Sequence, residues 1–237
     1  MKSTDEKSSP LTAAVNLEGV PEAIVFDVDG TLYSTLKLRF YMIFEMISMM
    51  IYSPQRILDL KIVWDFRNTR QTICSLNNQY LAEEQYNRAA KVSRVSPQKV
   101  YQVVKEWIYE KPLPYLALCR YAEVKELFSM LKRRGIRIGI FSDYPAKAKL
   151  KALELDADVV VEATDREVNH LKPHPTGLLV TAKRLKLSPG SCLFIGDQDD
   201  KDGECARRAN MPYIILSPKN RDRQFQLLRY YVKKWTV

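Results

Sequence analysis

Cysteine is scarce in this sequence, and none of its four cysteines belongs to a Cys-x-x-Cys pair. Long stretches of chain separate Cys74, Cys119, Cys192 and Cys205 from one another. This scattering is unlike a disulfide framework, and disulfides are rare in reducing compartments. We therefore expect four reduced, buried thiols in a cytoplasmic protein.

Long apolar runs are also missing. The most apolar stretch, residues 40–51, is too short to cross a bilayer and contains Glu45. Residues 1–20 are mostly polar and lack the apolar block of a secretory signal. We expect residues 1–20 to form a flexible arm, and we expect neither export nor stable insertion into a membrane.

Acidic residues are fewer than basic ones: 28 Asp and Glu against 37 Lys and Arg, which gives a formal net charge of +9. The basic residues are spread along the chain, as on solvated helix faces. No motif typical of nucleic-acid binding accompanies them, so we expect no nucleic-acid partner. The surplus positive charge favours an anionic substrate through long-range attraction.

What the chain does contain is a regular alternation of short apolar runs and helical patterns. The strand-like runs are the residues before Asp27, then 136–141, 158–161, 191–195 and 213–216. The helical patterns of this part lie at 122–134, 145–155, 176–187 and 203–209. Strands that alternate with helices at this spacing predict an α/β fold whose core is a Rossmann-like parallel sheet.

About a hundred residues separate the first two strand-like runs, whereas a crossover between parallel strands needs only about a dozen. Their apolar pattern is helical, with candidate helices at 38–52, 54–66, 69–77, 81–92 and 97–110. We predict an all-helical cap at residues 34–116, inserted into an α/β core formed by residues 21–33 and 117–237.

Methionines recur near helical spacing in the first candidate cap helix, at Met42, Met46, Met49 and Met50. Packing against the other cap helices is the simplest interpretation of this stripe. Two alternatives are an adaptable apolar wall over the active site and a shallow contact with a membrane surface.

Two carboxylates follow the first strand-like run. Asp27 and Asp29 are two residues apart, so on a strand they project to the same face beyond its end, and Gly30 and Thr31 come next. Ligands of open α/β sheets bind at the carboxyl ends of the strands. Two acids there suit metal-assisted chemistry, although an acidic turn is a common structural alternative.

Three further polar segments follow later strands. Ser142 and Asp143 end the second strand, Lys172 lies in a proline-stiffened loop between His170 and His174, and four aspartates occur between positions 197 and 202. Ser142 could simply cap a helix and Lys172 could be a surface lysine. Four neighbouring aspartates, however, repel one another unless a cation or lysines neutralise them.

In this order, the four segments resemble the haloacid dehalogenase-like (HAD) superfamily. Its signatures are Asp-x-Asp-Gly-Thr, a serine at a strand end, a Lys-Pro loop and Gly-Asp-x-x-x-x-Asp, of which the first and last are the most specific. The resemblance covers residues 23 to about 217. The helical insertion is similar to the cap that this superfamily places after its first motif.

The resemblance implies that Asp27 is the nucleophile that accepts a phosphoryl group as an aspartyl phosphate. Asp29 would protonate the leaving oxygen and then deprotonate the water that releases phosphate. The dehalogenases of the superfamily lack an acid at this position, so Asp29 favours phosphate-ester chemistry. Asp29 must be protonated for part of the cycle, and we expect crowding by other acids to favour that state.

The resemblance also implies the ligands of a Mg²⁺ ion and of the phosphoryl group. The metal ligands would be Asp27, the backbone carbonyl of Asp29 and Asp197, with Asp202 supporting the water shell of the metal. The phosphate-binding residues would be Ser142, Lys172, Gly30, Thr31 and Asp143. Many relatives have asparagine where this chain has Asp143, which adds a negative charge next to Ser142.

These features predict a Mg²⁺-dependent phosphatase that acts on a small phosphorylated metabolite, because a cap over the site restricts access for large substrates. Two alternatives remain at this point. A phosphomutase uses the same four motifs, and a binding or regulatory protein could retain a vestigial site.

Overall fold

The computed structural model of this chain describes residues 19–73 and 80–235. The predicted flexible arm at 1–20 therefore lies, apart from its last two residues, outside the described residues. The same holds for Cys74 and for the last part of the helix predicted at 69–77.

The core is one parallel sheet of five strands. The strands are β1 (Ala23–Phe26), β2 (Arg137–Ser142), β3 (Val159–Glu162), β4 (Cys192–Gly196) and β5 (Tyr213–Ile215). Their order in the sheet is β3-β2-β1-β4-β5, so β1 lies in the centre between β2 and β4. The apolar runs of the central strands are buried on both faces, as expected for parallel strands covered by helices. The predicted α/β, Rossmann-like fold is confirmed.

The chain between β1 and β2 is helical. Its elements are α1 (Thr35–Tyr52), a short 3₁₀ turn (Pro54–Arg56), α2 (Ile57–Gln71), α3 (Leu81–Ser93), α4 (Pro97–Val104), a π-helical turn (Lys105–Glu110), a second 3₁₀ turn (Leu113–Tyr115) and α5 (Leu116–Cys119). Ser34 and Ser96 cap α1 and α4 by accepting backbone N–H bonds from the first turn of each helix. The boundaries of a separate cap domain at 34–116 stay a prediction.

The prediction that a separate helix begins at residue 69 is wrong. Helix α2 continues through Gln71, because neither glycine nor proline interrupts the chain between Phe66 and Thr69. It ends at Thr72, whose N–H bonds to the carbonyl of Thr69 instead of extending the helix.

Helices cover both faces of the sheet. Besides α5, these helices are α6 (Val124–Arg133), α7 (Lys147–Ala152), α8 (Thr176–Arg184), α9 (Glu204–Arg208) and α10 (Arg221–Lys234). Helix α10 was not predicted from the sequence. One apolar core joins the sheet to α6, α7 and α10, and a second joins it to α8 and α9. Cys119, Cys192 and Cys205 are free and buried, as expected for the described cysteines.

Helices α2, α3 and α4 of the insertion share their own apolar core, which includes Phe66, Val103 and Trp107. Of the methionine stripe, Met49 is buried in this core and Met42 and Met46 pack partly against it. The packing interpretation is therefore right for Met49, whereas Met42 and Met46 pack partly against this core and also line a cavity.

The opposite face of α1 is apolar and open to solvent. Phe40 and Phe44 are 67% and 68% exposed, Met50 is 48% exposed, and Trp64 on α2 is 67% exposed. Apolar patches of this kind commonly mark interaction surfaces. Throughout residues 19–73 and 80–235, no helix combines the length and the apolar content that crossing a membrane requires.

Two phenylalanines of the insertion provide a matched test of this packing. Phe66 is 0% exposed and Phe44 is 68% exposed. We expect Phe66→Ala to lower the free energy of unfolding by about 3–5 kcal/mol, because it leaves a cavity in the apolar core of α2, α3 and α4. Phe44→Ala should change the free energy of unfolding by less than about 0.5 kcal/mol. Urea unfolding measures both, and equal losses would contradict the arrangement of α1 and α2.

Candidate active site

The sheet order brings the first, second and fourth motifs to one edge. Asp27 directly follows β1, Ser142 ends β2 and Asp197 directly follows β4, and these three strands are adjacent and parallel. The Thr31 hydroxyl donates a hydrogen bond to Asp27 Oδ2 at 3.0 Å, which fixes the carboxylate. Residues that are more than a hundred positions apart in the sequence therefore meet at the carboxyl ends of neighbouring strands.

Lys172 links the first motif to the last. Its buried Nζ lies 2.5 Å from Asp27 Oδ1 and 2.7 Å from Asp202 Oδ1. Burial by itself would lower the pKa of Lys172, but the carboxylates of Asp202 and Asp27 outweigh it and raise this pKa above its usual value. Lys172 is therefore a fixed positive charge between two acids and not a surface lysine.

Asp202 organises the loop after β4. Its Oδ2 accepts the backbone N–H groups of Asp197 and Gln198, both at 3.0 Å. Burial favours the neutral acid, but Lys172 and these N–H donors outweigh it and lower the pKa of Asp202. Its carboxylate therefore holds both the loop and Lys172 in place.

Three carboxylates form a candidate metal centre. Oxygen atoms of Asp27, Asp197 and Asp202 lie within 4.8 Å of one another. Burial is the largest cause that raises the pKa of Asp27; Lys172 lowers this pKa, and the carboxylates of Asp202 and Asp197 raise it further. The pKa of Asp197 is also raised, by burial and by the carboxylate of Asp202. This excess of negative charge is what a bound cation would neutralise.

The donor atoms fit a hard divalent cation. Asp197 Oδ1 is buried and has no hydrogen-bond partner among the described residues, so it is free to ligate a cation. Carboxylate oxygens are the ligands that Mg²⁺ takes in proteins, usually together with waters and phosphate oxygens. Asp27, Asp197 and the carbonyl of Asp29 stay the predicted ligands.

Gly30 is the residue type that this site requires. Its φ is +91°, in the region that favours glycine, and a Cβ there would lie 2.4 Å from Asp197 Oδ2. A side chain at position 30 would therefore displace a carboxylate of the candidate metal centre.

Asp29 has a different environment from Asp27. Lys149 Nζ lies 2.5 and 2.6 Å from its two carboxylate oxygens, and the Tyr33 hydroxyl donates a hydrogen bond to Oδ1. Burial would raise the pKa of Asp29, but Lys149 and Tyr33 outweigh it and hold this pKa below its ordinary value. The expectation that crowding by acids favours protonated Asp29 is wrong, because a lysine and a tyrosine surround this carboxylate.

Neither Lys149 nor Tyr33 was predicted from the sequence as a residue of the site. Lys149 is the middle of three lysines at alternate positions, and the sequence does not distinguish it from Lys147 and Lys151. Only the packing of α7 against the sheet buries Lys149 beside Asp29. Tyr33 has a weak local signal, because it follows Asp29 by four residues.

Ser142 and Asp143 have local bonding partners. The buried Ser142 hydroxyl accepts the N–H of Tyr144 at 3.2 Å, and Asp143 Oδ1 accepts the N–H of Lys172 at 3.1 Å. The Asp143 carboxylate thus positions the Lys-Pro loop. The contacts of Ser142 and Asp143 with phosphate stay predictions.

The insertion reaches the site through Arg70 of α2. Its guanidinium donates to the backbone carbonyl of Asp143 and to Gln85 Oε1, the latter at 2.9 Å, and lies 4.1 Å from the centre of the Tyr144 ring. Arg70 could not be singled out from the sequence, because one arginine among many carries no distinguishing pattern.

Three cavities that share lining residues lie around this site. A pocket of about 80 Å³ is lined by both Asp27 and Asp29, together with Lys172 and Asp202. A polar cavity of about 420 Å³ is lined by Arg70, His170, His174, Lys201 and Arg208, among others. An apolar cavity of about 450 Å³ is lined by Asp29 and by residues of α1 and α2.

The sequence of this chain matches that of a known protein family. A sequence model of the haloacid dehalogenase-like hydrolases matches residues 21–210. The chain belongs to this family. The resemblance drawn from the four motifs is confirmed, and the family is one of hydrolytic enzymes.

Among curated proteins, the phosphoglycolate phosphatase of Escherichia coli (strain K12) is 28% identical over 100 residues, which are 41% of this chain and 39% of that protein. The chain thus spans about two fifths of the length of the curated relatives it matches.

Two solved structures show how far the fold is shared. A β-phosphoglucomutase from Clostridium difficile has a TM-score of 0.59 at 18% identity, covering 91% of this chain and 99% of that one. A 2-haloacid dehalogenase from Pseudomonas syringae pv. Tomato DC3000 also has a TM-score of 0.59, at 17% identity, covering 88% and 98%. These similarities show the fold alone, since the two named reactions differ.

The candidate metal centre can be tested without an activity assay. Mg²⁺ at a hundred times its dissociation constant should stabilise the wild type by about 2.7 kcal/mol and raise its melting temperature. We expect Asp197→Ala to abolish this rise, because it removes the buried, unpartnered carboxylate oxygen.

Asp200→Ala is the matched control, because Asp200 is an exposed aspartate in the same loop. Calorimetry at fixed Mg²⁺ measures both variants. An unchanged Mg²⁺-dependent rise in Asp197→Ala would show that the cation binds elsewhere.

Proposed function

We propose that this chain is a Mg²⁺-dependent phosphatase that hydrolyses a small phosphorylated metabolite through an aspartyl phosphate on Asp27. One observation carries the proposal: Asp27 and Asp29 line the same 80 Å³ pocket, with Lys172 and Asp202 beside them. A pocket of this size suits a phosphoryl group, and phosphoryl transfer requires positioning and neutralisation of its oxygens.

In the first step, an oxygen of Asp27 attacks phosphorus while the bond from phosphorus to the leaving oxygen breaks. Asp29 donates a proton to that oxygen. In the second step, Asp29 takes a proton from a water, whose oxygen attacks phosphorus and releases inorganic phosphate and the Asp27 carboxylate. Lys172 remains charged throughout and offsets the negative charge around Asp27.

A bound Mg²⁺ would supply charge neutralisation for the phosphoryl oxygens. The residues that would hold it are Asp27, the carbonyl of Asp29 and Asp197, with Asp202 supporting its water shell. Asp143 lines the same 80 Å³ pocket, and the motif resemblance supports Ser142, with Gly30 and Thr31, as part of the phosphate pocket.

Lys149 and Tyr33 keep Asp29 ionised in the absence of substrate, so Asp29 must take up a proton from solvent as substrate binds. A phosphoryl group in the 80 Å³ pocket adds negative charge close to Asp29, which raises the pKa of this carboxyl. The substrate itself thereby prepares the proton donor.

The insertion at 34–116 acts in this proposal as a cap. The bonds from Arg70 to Asp143 and to Gln85 support this role, because they tie α2 and α3 to the second motif. A cytoplasmic location suits the free, buried cysteines.

A phosphomutase would use the same residues but would return the phosphoryl group to its substrate. The binding-protein alternative is disfavoured by the complete set of Asp27, Asp29, Lys172, Asp197 and Asp202. A panel of phosphorylated metabolites with Mg²⁺ distinguishes the three functions, because it yields free phosphate, an isomerised sugar phosphate, or no turnover.

The nucleophile is tested by Asp27→Asn. We expect this variant to lose all measurable phosphate release, because an amide is a far poorer nucleophile than a carboxylate. Asp200→Asn, on the exposed part of the fourth motif, should retain wild-type turnover. Removal of metal by a chelator should abolish wild-type activity and Mg²⁺ should restore it. As much as one tenth of wild-type activity in Asp27→Asn would overturn the assignment.

The proton donor is tested by Asp29→Asn. General acid–base groups typically contribute about a hundred- to ten-thousand-fold to the rate, and we expect a loss of kcat/KM within this range for alkyl phosphates. For nitrophenyl phosphate the loss of kcat/KM, which reports the transfer to Asp27 and not the later hydrolysis, should be much smaller, because nitrophenolate leaves without a proton. Equal losses for both kinds of ester would mean that Asp29 has another role.

A further inference from the structure

An apolar cavity adjoins the catalytic pair. Its volume is about 450 Å³, and its apolar wall is formed by Met42 and Met46 of α1, Leu60 and Val63 of α2, and Trp107 of the π-helical turn. Cavities of this volume commonly hold small organic ligands. Methionine side chains adapt to flexible apolar ligands, since they are unbranched and polarizable.

Asp29 determines which cavity receives the leaving group. The oxygen that leaves phosphorus must lie within hydrogen-bond distance of the Asp29 carboxyl, which donates the proton to it. Asp29 lines the 80 Å³ pocket and the apolar cavity, whereas the residues that line the polar 420 Å³ cavity do not include it. The group attached to that oxygen therefore extends along α1 and α2.

Three basic residues also line the apolar cavity. Lys149 is bound to Asp29, and Arg39 and Arg67 are exposed residues on α1 and α2. Arginine stems cover apolar surface while their guanidinium groups stay in water. The stems of Arg39 and Arg67 thus add to the apolar lining, and both side chains are accessible to solvent.

We propose that the substrate is an amphiphilic phosphomonoester, whose alcohol carries an unbranched apolar chain that occupies this cavity. The proposal rests on the proposed function, since it uses Asp29 as the proton donor. It narrows the substrate class from small phosphorylated metabolites to those with an apolar leaving group.

The outer face of α1 extends the same apolar path. Ile43 lines the cavity and is also 48% exposed. Beside it on α1 are the exposed Phe40, Phe44 and Ile47. A chain longer than the cavity therefore emerges at Ile43 onto an apolar surface and not into bulk water.

A series of linear alkyl phosphates, from ethyl to decyl, tests the proposal with the full-length wild-type protein and Mg²⁺. Each ester is used below its critical micelle concentration, and phosphate release is measured. We expect kcat/KM to rise by about two- to fourfold per methylene, the larger figure corresponding to full burial, until the cavity is filled. A flat series, or higher kcat/KM for phosphoglycolate and glycerol phosphate than for octyl phosphate, would overturn the proposal.

Two methionines of α1 provide matched variants. Met46 lines the cavity and Met50 is exposed on the outer face. Met46→Gln should lower the ratio of kcat/KM for octyl phosphate to that for ethyl phosphate by about tenfold, because it places an amide against the alkyl chain. Met50→Gln should leave this ratio unchanged. Melting temperatures confirm that both variants fold, and equal ratios in both would argue against the cavity.

The alkyl phosphate series also distinguishes a failure of this proposal from a failure of the proposed function. If no phosphomonoester is hydrolysed, both fail; if esters are hydrolysed without dependence on chain length, only the present proposal fails.

A further arm presents dodecyl phosphate either as monomers or in phosphatidylcholine vesicles. Faster hydrolysis of monomers assigns a soluble amphiphile, and faster hydrolysis from vesicles assigns a substrate in a bilayer; both support the apolar leaving group. Absence of hydrolysis in both forms overturns it.

Discussion

The electrostatic balance among buried carboxylates is the constraint on which the rest of this structure depends. Asp27, Asp197 and Asp202 lie too close together to remain ionised without compensation, and Lys172 supplies one positive charge at 2.5 Å from Asp27 and 2.7 Å from Asp202. The Asp143 carboxylate fixes the backbone of Lys172, so the second and third motifs serve this balance. The buried Arg221 lies 3.6 Å from Asp197 Oδ2 and adds a second positive charge. A divalent cation would neutralise the remaining excess of negative charge, at the Asp197 oxygen that has no hydrogen-bond partner in the described chain.

The two carboxylates that follow β1 differ because each has its own lysine and its own neighbours. Asp27 is surrounded by other acids, which together with burial raise its pKa, whereas Lys149 and Tyr33 lower the pKa of Asp29. Paired acids whose environments differ are a common way to assign different roles to identical side chains. Asp29 also lines both the 80 Å³ pocket and the apolar cavity, so that the proton transfer and the recognition of the leaving group that we propose would meet at this residue.

Sequence patterns predicted local features better than long-range ones. The strands before Asp27 and at 136–141 were predicted because buried parallel strands are short apolar runs, and the four motifs follow strand ends in the expected order. The end of α2 was misplaced, since the chain near Phe66 has no helix-breaking residue, and α10 was overlooked. The sequence also gave no basis for choosing Lys149 or Arg70 from 37 basic residues. Their partners, Asp29 and Asp143, are distant in the sequence and become neighbours only through packing.

The sequence by itself determined the family, the parallel α/β core and the identity of the acids at the strand ends, because these depend on residue types at short, regular spacings. Only the tertiary structure determines the directions in which the pKa values of those acids are shifted. Burial, the approach of Lys149 to Asp29 and that of Lys172 to Asp27 all arise when α7 and the Lys-Pro loop pack against the sheet. It likewise decided that Met42 and Met46 face a cavity beside Asp29 while Met50 faces solvent. The direction of a side chain relative to a distant element is fixed by packing and is absent from the periodicity of one helix.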